Sequence, residues 1–163
     1  MTAGEREYQR GLADEKIVKA YLSKTCQVTD STEHEDMTLD IDAYVNGKAT
    51  SIKCMGVTTP KNFAFELEVQ NSAGKWRKSW YYNRQAKKYV MWHRGMDTIF
   101  GIDKQRLQEY ITLHDFDRVV GLTNRVKEMQ SFHRDKDVKC GLISIQKLVD
   151  AGIAAVFTDN FKG

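Results

Sequence analysis

The chain lacks the means for a disulfide framework. Its three cysteines (Cys26, Cys54 and Cys140) are odd in number, widely spaced and form no CxxC pair. That argues against both disulfide cross-links and a cysteine-built zinc site, and suits a reducing compartment. Long apolar runs are missing too: none approaches the roughly 20 residues of a membrane helix, and the N-terminal stretch has no apolar core of the signal-peptide kind. The expectation is a cytoplasmic protein that makes no membrane contact. No glycine-rich phosphate loop exists, which disfavours an ATP-driven motor. The four histidines (His34, His93, His114, His133) are scattered without ligand spacing, which disfavours a histidine-built metal site. At 163 residues, with 41% hydrophobic content and one proline, the chain fits a single domain over 1–163. Such a domain buries about two-thirds of its unfolded surface.

A net charge of +3 is too small to imply a polyanionic partner, but the distribution of charge is uneven. Residues 1–42 hold ten acidic and five basic side chains. From Gly74 to Met96 there are no acids, and the cations are Lys75, Arg77, Lys78, Arg84, Lys87, Lys88 and Arg94. Interleaved with them are Trp76, Trp80, Tyr81, Tyr82, Tyr89 and Trp92. Cations attract phosphate and rings can stack on bases, so this segment is a candidate nucleic-acid surface. A solvated basic face with its rings packed inward explains the same pattern.

Periodicity predicts a helix over Ala3–Ser23, with Ala13, Ile17 and Tyr21 four residues apart. Thr29–Asp36 reads as a polar loop. Leu39–Val45 and Lys48–Cys54 read as strands joined by an Asn46-Gly47 hairpin turn, because both turn residues accept positive φ. Gly56–Asn62 reads as a loop, Phe63–Gln70 as a third strand, and Asn71–Gly74 as a turn. Further on come a helical stretch over Ser79–Ala86, strands near Tyr89–His93 and Thr98–Ile102, and a helix over Lys104–Leu113. The last fifty residues suggest a strand at Arg118–Thr123 and a short helix at Ser144–Asp150. This order predicts an α/β or α+β domain with a mixed central sheet, an antiparallel meander and flanking helices.

A two-residue turn at Asn46-Gly47 sets Val45 opposite Lys48, Asp42 opposite Ser51 and Asp40 opposite Lys53. Side chains alternate along strands, so Asp40, Asp42, Ser51 and Lys53 share one face. Ile41, Ala43, Val45, Ile52 and Cys54 take the other, which can be the core, so Cys54 is expected to pack inward. The charged face could simply be wet, with Asp40 and Lys53 as an exposed ion pair worth under ~1 kcal/mol. On the third strand Glu66 and Glu68 share a face, and pairing beside Lys48–Cys54 would bring Glu66 to the cluster. Carboxylates so gathered repel unless a divalent ion neutralises them, and Mg²⁺ favours all-oxygen sites. Which of Asp40 and Asp42 would be the principal ligand stays open, and Glu68 is the fallback for Glu66.

Leu39-Asp40-Ile41, the hairpin and Ser51-Ile52-Lys53 together resemble the PD-(D/E)XK nuclease superfamily, a restriction-endonuclease-like fold. Its pattern places an Asp on one strand and Glu-x-Lys on the next. Leu39 stands where the family has proline, and Ser51 where it has glutamate. A subset of the family has Ser-x-Lys and a migrated glutamate on the following strand; here twelve residues separate Lys53 from Glu66. The family's first-helix glutamate would be Glu15, with Asp14 as its competitor, and its Gln-x-x-x-Tyr motif matches Gln85–Tyr89. The resemblance covers about residues 10–90. It implies a metal-dependent endonuclease or nickase acting on DNA in restriction, recombination or mobile-element conflict, often as a homodimer. Asp40, Asp42 and Glu66 would bind Mg²⁺, with Mn²⁺ as a substitute, and Lys53 and Glu15 would complete the catalytic set. Lys75, Arg77, Lys78, Arg84, Gln85, Lys87 and Lys88 would contact DNA. Because Ser51 replaces the glutamate, a catalytically silent module that binds DNA or a protein is the alternative.

Overall fold

A computed structural model describes residues 3–55, 61–71, 73–82, 85–122 and 137–157. In chain order the elements are α1 (Ala3–Leu22), β1 (Val28–Asp30), α2 (Glu33–Leu39), β2 (Ala43–Val45), β3 (Lys48–Met55), β4 (Asn62–Gln70) and β5 (Trp76–Lys78). A 3-10 turn (Trp80–Tyr82) leads to β6 (Lys88–His93), β7 (Thr98–Asp103), α3 (Lys104–His114), β8 (Arg118–Leu122), β9 (Val138–Ser144), α4 (Ile145–Asp150) and β10 (Ala154–Val156). The domain is α+β. Among the described residues, no helix is long and apolar enough to cross a membrane. Most of the loop read at Gly56–Asn62 lies outside the described residues, as does Arg84.

Two sheets carry the fold. The larger runs β1-β2-β3-β6-β7-β10 and is mixed, since β3 and β6 are parallel and its other pairs antiparallel. The smaller is antiparallel and runs β5-β4-β9-β8. Val18 and Leu22 of α1 cover one face of the larger sheet, over Ala43, Val45, Ile52 and Val90. Its other face meets the smaller sheet and α3 through Tyr89, Met91, Phe63, Phe65, Phe100 and Leu107.

The hairpin turn has φ of 51° at Asn46 and 79° at Gly47, the double positive-φ geometry that matches strand twist. Its register pairs Val45 with Lys48, Tyr44 with Ala49 and Ala43 with Thr50. Beyond Ala43 the ladder breaks, and the Asp42 N–H donates to the Thr50 carbonyl at 2.9 Å. Asp40 is the C-cap of α2 with φ 52°, a left-handed conformation that aspartate tolerates better than most residues. The two aspartates are therefore not neighbours on one strand face.

The expected three-strand meander is not formed: β4 does not pair with β3, and β6 takes that place. The reason is burial. A strand between β3 and β7 is covered on both faces, which suits the run Tyr89-Val90-Met91, each fully buried. Strand β4 alternates Phe63, Phe65 and Leu67 inward with Ala64, Glu66 and Glu68 outward, so in that central place it would bury two carboxylates. In the smaller sheet its outer face is open. Two further expectations change. The loop at Thr29–Asp36 takes in the end of β1 and the start of α2, and among the described residues of the helix read at Ser79–Ala86 there is one 3-10 turn. Cys54, expected to pack inward, is exposed.

Candidate active site

Three elements aim carboxylates at one point. On α1, Glu15 precedes the buried Val18 and Leu22 by three and seven residues, so it shares the helix stripe that faces the sheet. Helix α2 is fixed by a capping box: Glu35 N–H donates to Thr32 Oγ1 at 3.2 Å and Thr32 N–H to Glu35 Oε1 at 2.9 Å. That anchor holds Asp36 one position further along. Asp42 arrives from the residues leading into β2. Oxygens of Glu15, Asp36 and Asp42 lie within 4.8 Å of one another, the one such metal-competent group among the described residues.

Asp42 is 5% exposed, and its Oδ2 accepts the Ile52 N–H at 2.6 Å. Burial first, then the contact with Asp36, pushes its carboxyl up to about 8; Lys53 opposes the rise and Glu15 adds to it. Glu15 is raised as well, by burial and then by Asp36. Its nearest cation is Lys19, at 3.9 Å. Asp14, its competitor, is ion-paired with Arg94.

Asp40 has a different set of partners. Lys53 Nζ donates to its Oδ1 at 2.8 Å and Ser51 Oγ to its Oδ2 at 3.1 Å. The Lys53 ammonium also lies 5.0 Å from the centroid of the Trp80 ring. The lysine is thus fixed from two sides, and Asp40 stands outside the three-carboxylate group.

Glu66, on the other sheet, accepts a hydrogen bond from Ser79 Oγ at 2.5 Å and is not part of that group. Glu68 pairs with Lys139 at 3.2 Å. The cations expected to contact DNA separate into two sets. Lys75, Arg77 and Lys78 are exposed on or beside edge strand β5, and Gln85 and Lys87 are exposed further along. Lys88 is half-buried on β6, its ammonium over the Phe157 ring at 5.5 Å, and burial lowers its pKa.

Sequence reasoning missed Asp36. The Thr32-x-x-Glu35 string announces a helix start, and that was the signal available for it. No protein-family model, curated protein or solved structure matches the chain.

Proposed function

We propose that the chain is a divalent-metal-dependent endonuclease acting on DNA, a PD-(D/E)XK-like site in which Asp36 supplies the carboxylate that Ser51 lacks. The observation that carries this reading is the convergence of Glu15, Asp36 and Asp42 within 4.8 Å, beside the Lys53–Asp40 pair. Surface carboxylates of a merely wet face spread apart in water. Three brought together, one of them almost fully buried, are costly to ionise unless a cation offsets them.

The donor set is all oxygen and suits Mg²⁺, with Mn²⁺ as a substitute. Glu15, Asp36 and Asp42 would hold the ion, whose chemistry is to polarise a phosphate and acidify a bound water. Lys53 presents a fixed ammonium that can donate to a phosphate oxygen as negative charge develops there. Asp40 orients that ammonium, and Ser51 steadies Asp40 through its second oxygen. Ser51 and Asp40 are positioning residues in this scheme, and Glu66 has no part in it.

One observation favours the silent alternative: the Ser51 hydroxyl, in the family's glutamate position, is occupied by Asp40. Supercoiled plasmid incubated with Mg²⁺ or Mn²⁺ separates the readings, with products resolved as nicked or linear. Wild type should cleave, and Lys53→Ala should lose cleavage while keeping its fold. Binding without cleavage by the wild type would favour the silent module. Full activity in Lys53→Ala would remove the assignment of cleavage to this site.

A further inference from the structure

Beside the acidic group, the segment from Trp76 to Tyr82 forms a second feature of distinct chemistry. Strand β5 pairs only with β4, through Glu68–Lys78, Val69–Arg77 and Gln70–Trp76, and is the edge of the smaller sheet. Directly paired residues share a face, so Trp76 and Lys78 lie on the outer face with Glu68. Trp76 is 39% exposed and Tyr82 41%. Apolar rings of this size usually go inside, yet each of these carries a cation instead: Lys139 over Trp76 at 4.4 Å and Lys78 over Tyr82 at 5.0 Å. The neighbouring Tyr81 and Trp80 of the same turn pack against Phe65.

We infer that Trp76 and Tyr82 are a stacking platform for unpaired nucleobases, with Lys78 and Lys139 meeting the adjoining phosphates, so that the substrate has a single-stranded segment. This inference rests on the endonuclease reading for its link to cleavage. Rings that stay exposed beside ammonium groups match the π-faces and phosphates of a single strand. A paired duplex keeps its base faces hidden in the stack and offers such rings only its backbone and grooves. A protein partner of acidic character would use the cations, but it has no need of two separate rings that each sit under a lysine.

Position supports the link to the proposed site. Trp80, four residues from Trp76 and two from Tyr82, carries the Lys53 ammonium on its ring. Four residues of chain span at most about 14 Å. A strand stacked on Trp76 and Tyr82 therefore lies within a few nucleotides of Lys53.

The test is fluorescence anisotropy of the full chain in EDTA, with a labelled oligothymidylate and a blunt duplex of equal length as probes. The single strand should bind more tightly than the duplex. Trp76→Ala should weaken single-strand binding at least about fivefold, the effect of losing one stacked base, with duplex binding within twofold of wild type. Trp76→Phe, which restores a ring, should recover most of the loss. Tyr82→Ala, at a second position off the strand, should repeat the effect and guards against local misfolding at β5. Equal losses for both probes, unchanged single-strand affinity in both alanine variants, or binding of neither probe would overturn the inference; the last would favour a protein partner. Because EDTA removes any contribution of a bound metal ion, platform-dependent binding without plasmid cleavage would remove only the endonuclease reading. Plasmid cleavage with no ring dependence would remove only this one.

Discussion

Two groups of carboxylates in this fold are partnered differently. On the outer face of the smaller sheet each has a partner of its own: Lys139 for Glu68, the Ser79 hydroxyl for Glu66. At the entry to β2, Glu15, Asp36 and Asp42 crowd together; of the cations beside them, Lys53 is held by Asp40 and Lys19 is shared between Glu15 and Asp30. The first arrangement is stable as it stands. The second accumulates negative charge under partial burial, which raises both Asp42 and Glu15. Here the cations, Lys19 at 3.9 Å from Glu15 and Lys53 held by Asp40, do not offset three carboxylates, and that deficit is what the proposed metal ion would make good.

The largest expected effect separates these places by activity. Asp42→Asn should lower Mg²⁺-dependent plasmid cleavage at least about 100-fold, the scale of removing one preorganised charge from a reacting centre. Glu66→Gln should leave the rate within about threefold. If Glu66→Gln instead matched Asp42→Asn, the migrated-glutamate arrangement would be restored and the comparison above would fail.

Stability should separate them next. An acid whose folded pKa is raised holds its proton longer in the folded state. Raising the pH from about 4 to about 8 then favours unfolding, and above about 8 the penalty is constant. Glu15, also raised, adds in the same direction. Metal-free wild type should thus lose melting temperature over this range relative to Asp42→Asn. The gap should reach at least about 3 °C at pH 8.5, which corresponds to about 1 kcal/mol in a domain of this size. Saturating Mg²⁺ should close it by binding only the folded state. A gap that fails to shrink on acidification would mean that Asp42 is not the strained carboxylate.

Much of the fold was legible in the residues, but this contrast was not: the sequence reading put Glu66 with Asp40 and Asp42 and left out Asp36. The Asn46-Gly47 turn dictated the hairpin register, and α1 and α3 followed from their apolar spacing. Alternation of Phe63, Phe65 and Leu67 with Ala64, Glu66 and Glu68 marks β4 as a strand, and its outward carboxylates keep it from a place covered on both faces. The parallel β3–β6 pairing joins residues more than thirty apart, and local periodicity carries no information about it. Asp36 was hidden because a seven-residue helix is too short for an apolar repeat, leaving only its capping box. The separation of Asp40 from Asp42 depends on the positive φ at Asp40, which no spacing rule announces.

A smaller effect concerns the cations. Lys78 is exposed on edge strand β5, on the face of Trp76, and Lys88 rests on Phe157. If Lys78 meets a phosphate, Lys78→Ala should reduce the slope of log affinity against log salt by about 0.7 for a single strand. Lys88→Met, which keeps the aliphatic packing, should leave the slope unchanged. Equal changes would mean that general charge, not the β5 surface, holds the nucleic acid.

The smallest expected effect is also the most diagnostic control. Glu68 and Lys139 are both partly exposed and open to solvent screening, so Glu68→Gln should change stability by under about 1 kcal/mol. It should leave plasmid cleavage at the wild-type rate, because the carboxylate already has its cation. Losing that partner releases Lys139 from one of its two contacts, the other being the Trp76 ring. Single-strand affinity should then rise modestly, by about twofold, and the rise should disappear in Trp76→Ala if ring and ammonium act on the same strand. Loss of cleavage in Glu68→Gln would place a needed carboxylate on the outer face of the smaller sheet, and the two acidic regions would no longer differ in kind.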